Sequence, residues 1–479
     1  MSEVLLVSCY ELGHPPLSIA WPAAFLREAG VSVRVLDLAV DEFSPPALRG
    51  VSLVAVAVPM LTALRLGVEA ASRVRAAQPQ THIAFFGLYA WLNRAMLLED
   101  GVADSVLAGE SEPALVALAQ ALAEGRAAST VPGVGTRGRE QAPVLQRIAF
   151  PIPDRHGLPP LARYARYLPG DGEAVLAGSV EASRGCLHTC RHCPVVPIYH
   201  GRFFVVPVNT VLADVRQQVE AGARHITFAD PDFLNGPGHA MKVTHALAAA
   251  HPGLTFDFTA KVEHIVKHAA LFPELFTLGC RFVISAVESV SDHVLHELRK
   301  GHTRADVVTA LAILDAAGIA LQPTLVAFTP WTSLDDYIDT LEFIRAHGLT
   351  RHVPPVQLSI RLLVPPGSLL ERAEDAAQWL RELEPREFRF AWRHPDPRMD
   401  ILHEAVASRV ELAAERGEPA DETWAAVRAL AYTAAGRPLP VPEDDAPARV
   451  RPDSPRLSEA WFCCAEPRQI QVGLVKGGR

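Results

Sequence analysis

No stretch of the 479 residues is apolar for long enough to span a bilayer, and the opening MSEVLLVSCYELGHPP has no basic region ahead of its short, strand-like apolar run. These absences point away from a membrane protein and a secretory leader, and the expected location is cytoplasmic. Positive charge is also in deficit: 45 Lys and Arg face 54 Asp and Glu, a net charge of −9. Such a chain has no general attraction for phosphate backbones, so nucleic acid is not an expected partner. Cysteine is too sparse and too unevenly placed for a disulfide framework. Of the seven, Cys186, Cys190 and Cys193 are clustered, Cys463 and Cys464 are adjacent, and Cys9 and Cys280 stand apart. In a reducing compartment that distribution signals cluster, metal or reactive-thiol chemistry. Repeats of solenoid period are missing too. What remains is the 49% hydrophobic, 21% charged composition of a globular protein, long enough for two or three domains.

The pattern along the chain is α/β. Residues 1–125 alternate β-branched runs with amphipathic stretches, which predicts strands at Val4–Ser8, Val31–Asp37, Leu53–Val58, His82–Phe86 and Ser105–Ala108. This is a Rossmann-like parallel sheet of the flavodoxin type, with Gly87 and Gly109 at strand exits where a ligand can approach. Residues 126–175 read as a proline-rich linker. A second alternation, residues 176–366, predicts strands near Val180–Ser183, Ile226–Ala229, Thr255–Ala260, Phe282–Ala286, Leu321–Phe328 and Val356–Ile360. Six β/α units make a partial (β/α)6 barrel. Residues 367–436 read as helical, around Leu369–Leu383, Asp400–Arg416 and Glu422–Ala435, and 437–479 as a proline-rich connector carrying a Cys-containing tail.

The most specific segment is Arg184-Gly-Cys-Leu-His-Thr-Cys-Arg-His-Cys193. Three cysteines so spaced on a loop can turn their thiolates to three corners of one cubane and leave the fourth iron without a protein ligand. A tetrahedral zinc site completed by His188, His192 or His200 is the alternative.

A Cys-x3-Cys-x2-Cys loop leaving the first strand of a β/α domain resembles the radical S-adenosylmethionine (SAM) superfamily, over about Val180 to Ile360. The resemblance implies a [4Fe-4S] cluster on Cys186, Cys190 and Cys193, whose open iron chelates the amino and carboxylate groups of SAM. It implies reductive cleavage of a carbon–sulfur bond, with electrons from a partner such as flavodoxin or ferredoxin. It also places His192 at the adenine. Asp230 and Asp232, in Phe228-Ala-Asp-Pro-Asp-Phe-Leu-Asn235, fall toward the SAM amino group; Lys261, Glu263, Glu288 and Ser289 fall toward its ribose and carboxylate. Phe328-Thr-Pro-Trp-Thr332 resembles the strand exit that packs on adenine, and Arg361 matches a position able to pair with a carboxylate of SAM or substrate. A capping role for Asp232 and a solvated loop position for His192 are the ordinary alternatives.

A flavodoxin-like domain ahead of such a barrel, with Ala108-Gly-Glu-Ser-Glu-Pro113, resembles the cobalamin-binding architecture, and cobalamin is therefore a further cofactor to test. The Asp-x-His-x-x-Gly frame is not present around His14, and Gly87 is followed by Leu88. Trp461-Phe-Cys-Cys-Ala-Glu-Pro467 resembles the CUAEP/CCAEP-tail radical SAM proteins, some of which carry selenocysteine at the position of Cys464. That implies chemistry at Cys463 and Cys464. The expected function is a transferase that alkylates or modifies a small substrate, and the thiol pair suits a thiophilic metalloid such as arsenite receiving a 3-amino-3-carboxypropyl group. Two other readings stay open: a cobalamin-dependent methyltransferase, and a metalloid-binding or redox-sensing iron–sulfur protein without turnover. Cys280, at a strand start, reads as core.

Overall fold

In the computed structural model, residues 3–440, 451 and 453–459 are described. The first five strands are β1 (Glu3–Ser8), β2 (Ser32–Asp37), β3 (Val51–Ala57), β4 (His82–Phe86) and β5 (Ser105–Leu107). Each lies within two residues of its sequence-predicted limits. They form a parallel sheet in the order β2-β1-β3-β4-β5, the flavodoxin order. Both faces are covered, which is why the strands are apolar throughout rather than alternating with polar residues. Val4, Leu6, Leu53 and Ala55 pack against helices Leu17–Glu28 and Glu112–Ala123, while Leu5, Val7, Val54 and Val56 pack on the opposite side against Leu61–Ala77.

The linker ends in β6 (Arg166–Leu168), which lies antiparallel on β7 (Val175–Val180). β7 is the first barrel strand, and it stops at Val180, where the sequence pattern predicts a start. The apolar run there belongs to the strand's exit: Ser183–Gly185 forms β8, paired with β9 (Phe203–Val205) in a hairpin that encloses the cysteine loop. The barrel continues through β10 (His225–Phe228), β11 (Thr255–Thr259), β12 (Cys280–Glu288) and β13 (Ala320–Leu325), all parallel. Ile226, Phe228, Phe256 and Phe258 turn outward onto Val215, Val243 and Leu247 of the flanking helices.

A sixth parallel strand at Val356–Ile360 is not formed. Residues Pro355–Ser359 make a 3-10 turn, and the expected pairing is reduced to a single bridge between Phe328 and Arg361. Pro354 and Pro355 supply no ladder N–H and fix φ, so the apolar run cannot join the sheet. The helix predicted at Leu369–Leu383 is also replaced, by a 3-10 turn at Leu369–Arg372, one helical turn at Ala376–Trp379 and a hairpin of β14 (Leu380–Glu384) with β15 (Arg389–Trp392). Its apolar residues serve a different neighbour: Trp379 and Trp392 are buried with Leu362 and Val364 in the core that extends from the first sheet. The two later helices form as expected, at Pro397–Arg416 and Ala420–Ala434.

The chain then supplies the missing barrel wall. β16 (Arg456–Leu457) pairs antiparallel with β6, completing the order β13-β12-β11-β10-β7-β6-β16. Gln322 of β13 donates to the Pro455 carbonyl at 2.7 Å and to Ser454 Oγ at 3.2 Å, so one short segment touches both margins of the sheet. No helix among the described residues is long and apolar enough to cross a membrane.

Candidate active site at the cysteine loop and the domain interface

Gly185 ends β8 with φ +78°, and a Cβ there would run into the Arg202 carbonyl, so the hairpin turns tightly into Cys186. Cys186 and Cys190 are buried, Cys193 is partly exposed, and the three are not disulfide-bonded. Cys186 and Cys193 share a small apolar cluster with Val195, Ile198 and Tyr199, and the Cys193 N–H donates to the Cys190 carbonyl at 3.2 Å. Burial pushes the Cys186 thiol up to about 11, against the pull of the His188 backbone N–H. The donor set fits a cubane held by three sulfurs, one iron being left to a small-molecule chelate.

Each stretch between cysteines is fastened by a histidine. His188 Nδ1 accepts from Lys261 Nζ at 3.0 Å, and its Nε2 lies 3.2 Å from His264 Nε2. His264 Nδ1 is in turn 2.9 Å from Asp232 Oδ2. An ammonium only donates, so Lys261 is the donor to His188 Nδ1, and the His188 Nε2 is left to meet His264. Burial, then the Lys261 charge, holds His188 down to about 4. Across the loop, His192 Nε2 is 3.2 Å from Glu288 Oε1, which also accepts from Lys300 Nζ at 3.2 Å. Burial alone would raise the Glu288 carboxyl, but Lys300 and His192 together hold it near about 2. Glu288 carries φ +64°, a strained backbone for a non-glycine residue, and it ends β12 inside this network.

Between the two domains lies a cavity of about 350 Å³, bounded on one side by the ends of β3, β4 and β5 and on the other by the ends of β7 and β10. Both sheets thus turn their C-terminal edges to the same space, where open α/β folds place ligands. Gly87 and Gly109 line it, both with positive φ. Its wall carries the carboxyl groups of Glu11, Glu112, Glu181 and Asp230, with Glu110 behind them. Arg184 Nη1 is 3.1 Å from Glu110 and 2.6 Å from Glu112, its Nε is 2.9 Å from Glu181, and the guanidinium stacks over Trp21 and Phe150. One cation cannot neutralise three buried acids. Burial pushes Glu110 up to about 7 and raises Glu181 despite Arg184, and it pushes Asp230 up to about 7 and Glu11 to about 8. Glu112 Oε2 is buried with no hydrogen-bond partner among the described residues. His14 also faces the cavity, and burial lowers its pKa, leaving a neutral imidazole.

The predicted site residues divide into groups. His192, Lys261, Glu263 and Glu288 gather around the cysteine loop, Glu263 through its 3.1 Å contact with Lys261. Asp230 faces the cavity while accepting from Ala182 N at 2.9 Å and Ser183 Oγ at 2.5 Å. The Asp232 carboxylate is taken up by Leu234 N at 3.0 Å and Lys261 N at 3.2 Å, a capping role. Ser289 Oγ caps the next turn through Ser291 N. Arg361 pairs with Asp400 at 2.9 Å, donates to the Trp392 carbonyl and lies 3.6 Å over the Trp392 ring, and Trp331 donates to Asp375. Those two residues tie the C-terminal region to the barrel. Cys463 and Cys464 lie outside the described residues. Sequence reasoning missed Arg184, Asn235, His264 and Lys300; a charged residue at the head of the cysteine motif was a sign for Arg184 alone.

Residues 180–344 match the model of the radical SAM superfamily. These residues are a radical SAM domain. Radical SAM enzymes use a [4Fe-4S] cluster and SAM, the pair that the three-thiol loop and its polar surround fit. Hopanoid C-3 methylase of Methylococcus capsulatus is 24% identical over 414 residues, 84% of this chain and 74% of that protein. A tRNA-2-methylthio-N(6)-dimethylallyladenosine synthase of Fusobacterium nucleatum is 26% identical over 192 residues, covering 35% of this chain and only 40% of that protein. Among solved structures, the cobalamin-dependent SAM radical enzyme OxsB superposes with a TM-score of 0.68 at 16% identity over 85% of this chain and 66% of that one. The radical SAM methyltransferase TsrM of Kitasatospora setae gives 0.64 at 17% identity, over 91% and 95%. At these identities the likeness shows the fold: a flavodoxin-like domain, a radical SAM barrel and a helical C-terminal region.

Proposed function

We propose that this radical SAM enzyme is a cobalamin-dependent transferase that moves a one-carbon group from SAM to a small substrate. The observation that carries this reading is the cavity enclosed by the C-terminal edges of both sheets, with its excess of buried carboxyl groups. A corrin is fringed by primary amides. Carboxyls that burial raises, such as those of Glu11 and Asp230, both donate to and accept from an amide when protonated, and the unpartnered Glu112 Oε2 is an acceptor awaiting an N–H. Bound there, the corrinoid would supply the methyl group, and SAM at the reduced cluster the radical. The protein's part is positional: Arg184 locks the first domain onto the β8 strand that leads into Cys186, so cavity and cluster loop are held by one ion cluster. The hopanoid methylase and the two structural neighbours support this reading by similarity.

A second reading keeps a thiophilic metalloid such as arsenite as substrate, held by Cys463 and Cys464 and alkylated with the aminocarboxypropyl group of SAM. It is favoured by one contact: Tyr10 donates to Glu459 at 2.7 Å, beside the Glu11–His14 loop that lines the cavity. Cys463 follows Glu459 by four residues, a reach of at most about 14 Å.

The test is the nucleoside product. Enzyme reconstituted anaerobically with iron, sulfide and hydroxocobalamin is given SAM and a flavodoxin or dithionite reductant, with and without arsenite. S-adenosylhomocysteine together with 5′-deoxyadenosine supports methyl transfer. Methylthioadenosine that requires arsenite overturns it in favour of the second reading, and an absence of SAM cleavage overturns both.

A further inference from the structure

Asn235 ends the 3-10 turn that follows β10, and it is 6% exposed. Its Oδ1 accepts from Leu187 N at 3.2 Å and lies 3.8 Å from Cys186 Sγ. Its Nδ2 is buried with no partner among the described residues. This arrangement suits a thiol, because an S–H and an N–H both donate to the amide oxygen. It does not suit a cluster ligand. Once Cys186 gives up its proton to bind iron, sulfur only accepts, and two acceptors would face each other while a buried N–H stays unsatisfied. Turning the terminal amide removes both faults. That torsion is broad, and which end carries nitrogen follows from the bonding network. The turn gives up the 3.2 Å bond from Leu187 N, the one hydrogen bond that it costs.

The geometry points to Asn235 as a positioning residue that tunes the cluster: its amide donates an N–H···S hydrogen bond to the Cys186 thiolate. Reduction puts a further electron on a cubane that already carries three thiolates. The hydrogen bond to sulfur therefore strengthens in the reduced form and raises the reduction potential. Asn235 is remote in sequence from the cysteine motif, and this role rests on the cluster alone, independent of cobalamin or substrate.

The test uses the reconstituted holoenzyme without SAM, comparing the unmodified protein with Asn235→Leu and Asn235→Asp at matched iron content. Asn235→Asp keeps the shape and loses the donor; Asn235→Leu loses it without adding charge. In an EPR-monitored redox titration both variants are expected to shift the midpoint to a more negative potential. In proton ENDOR both are expected to lose one exchangeable proton coupled to the cluster. Unchanged midpoints with the full set of exchangeable couplings would overturn the assignment, as would a positive shift in Asn235→Leu. If Asn235→Leu fails to fold, the ENDOR comparison with Asn235→Asp decides alone.

Discussion

At Arg184 a single guanidinium, its side chain only 10% exposed, meets Glu110 and Glu112 from the first domain and Glu181 from the second. Removing it leaves three carboxylates confronting one another away from water, and the loss of one partner from a buried ion cluster costs about 3–5 kcal/mol. Arg184→Met is expected to lower unfolding stability by that amount in denaturant titrations of the cofactor-free protein. A loss below about 1 kcal/mol would mean that the domains are held by packing alone. The proposed cysteine ligands stand out in the sequence because they fall within one short run. Their supports do not. Glu110 precedes Arg184 by 74 positions, and Lys300 follows Glu288 by 12 but meets it only through the fold. No local pattern announces such pairs. Asp232 shows the converse: it matched a ligand position by sequence, yet backbone N–H groups claim its oxygens.

Among the elements, the parallel strands of the first sheet were readable because burial on both faces makes them continuous apolar runs bounded by turns. The same signal misled at Val356–Ile360, where two prolines override the apolar pattern, and at Leu369–Leu383, where a helical-looking run instead buries Trp379 against the other domain. The β16 strand could not be foreseen at all, since two residues after a proline-rich stretch carry no period. It nevertheless completes the barrel wall, with Leu457 7% exposed against Tyr167 and Phe282. Leu457→Asp places a charge in that cluster and is expected to cost about 2–4 kcal/mol, with faster amide exchange along β6 and β7. Unaltered exchange in those strands would show that the segment merely rests on the barrel.

For the whole molecule, the acid-rich interface sets how stability depends on pH. Glu11 and Glu110 titrate in the folded state near about 8 and about 7, above the ordinary 4.5. The folded form therefore holds more protons than the unfolded one across that interval, and the stability this gives is full below the ordinary value and lost as pH rises through 7 and 8. Histidines run the other way. Burial lowers His14 and His82 and takes His302 down to about 4, so their contribution is present above about 6.5 and lost as pH falls. The cofactor-free protein is expected to melt highest between about pH 6 and 7. Glu11→Gln should flatten the alkaline side of that profile, and a melting temperature that instead climbs steadily to pH 9 would refute the assignment of neutral carboxyls to the interface.

At this same scale the molecule joins two proposed sites, a three-thiol loop and a carboxyl-lined cavity locked to it through Arg184. Elemental analysis of anaerobically reconstituted, desalted protein tests both at once. Four irons and one cobalt per chain, with no zinc, are expected; iron without cobalt would remove the corrinoid from the cavity, and zinc in place of iron would contradict the catalytic reading altogether.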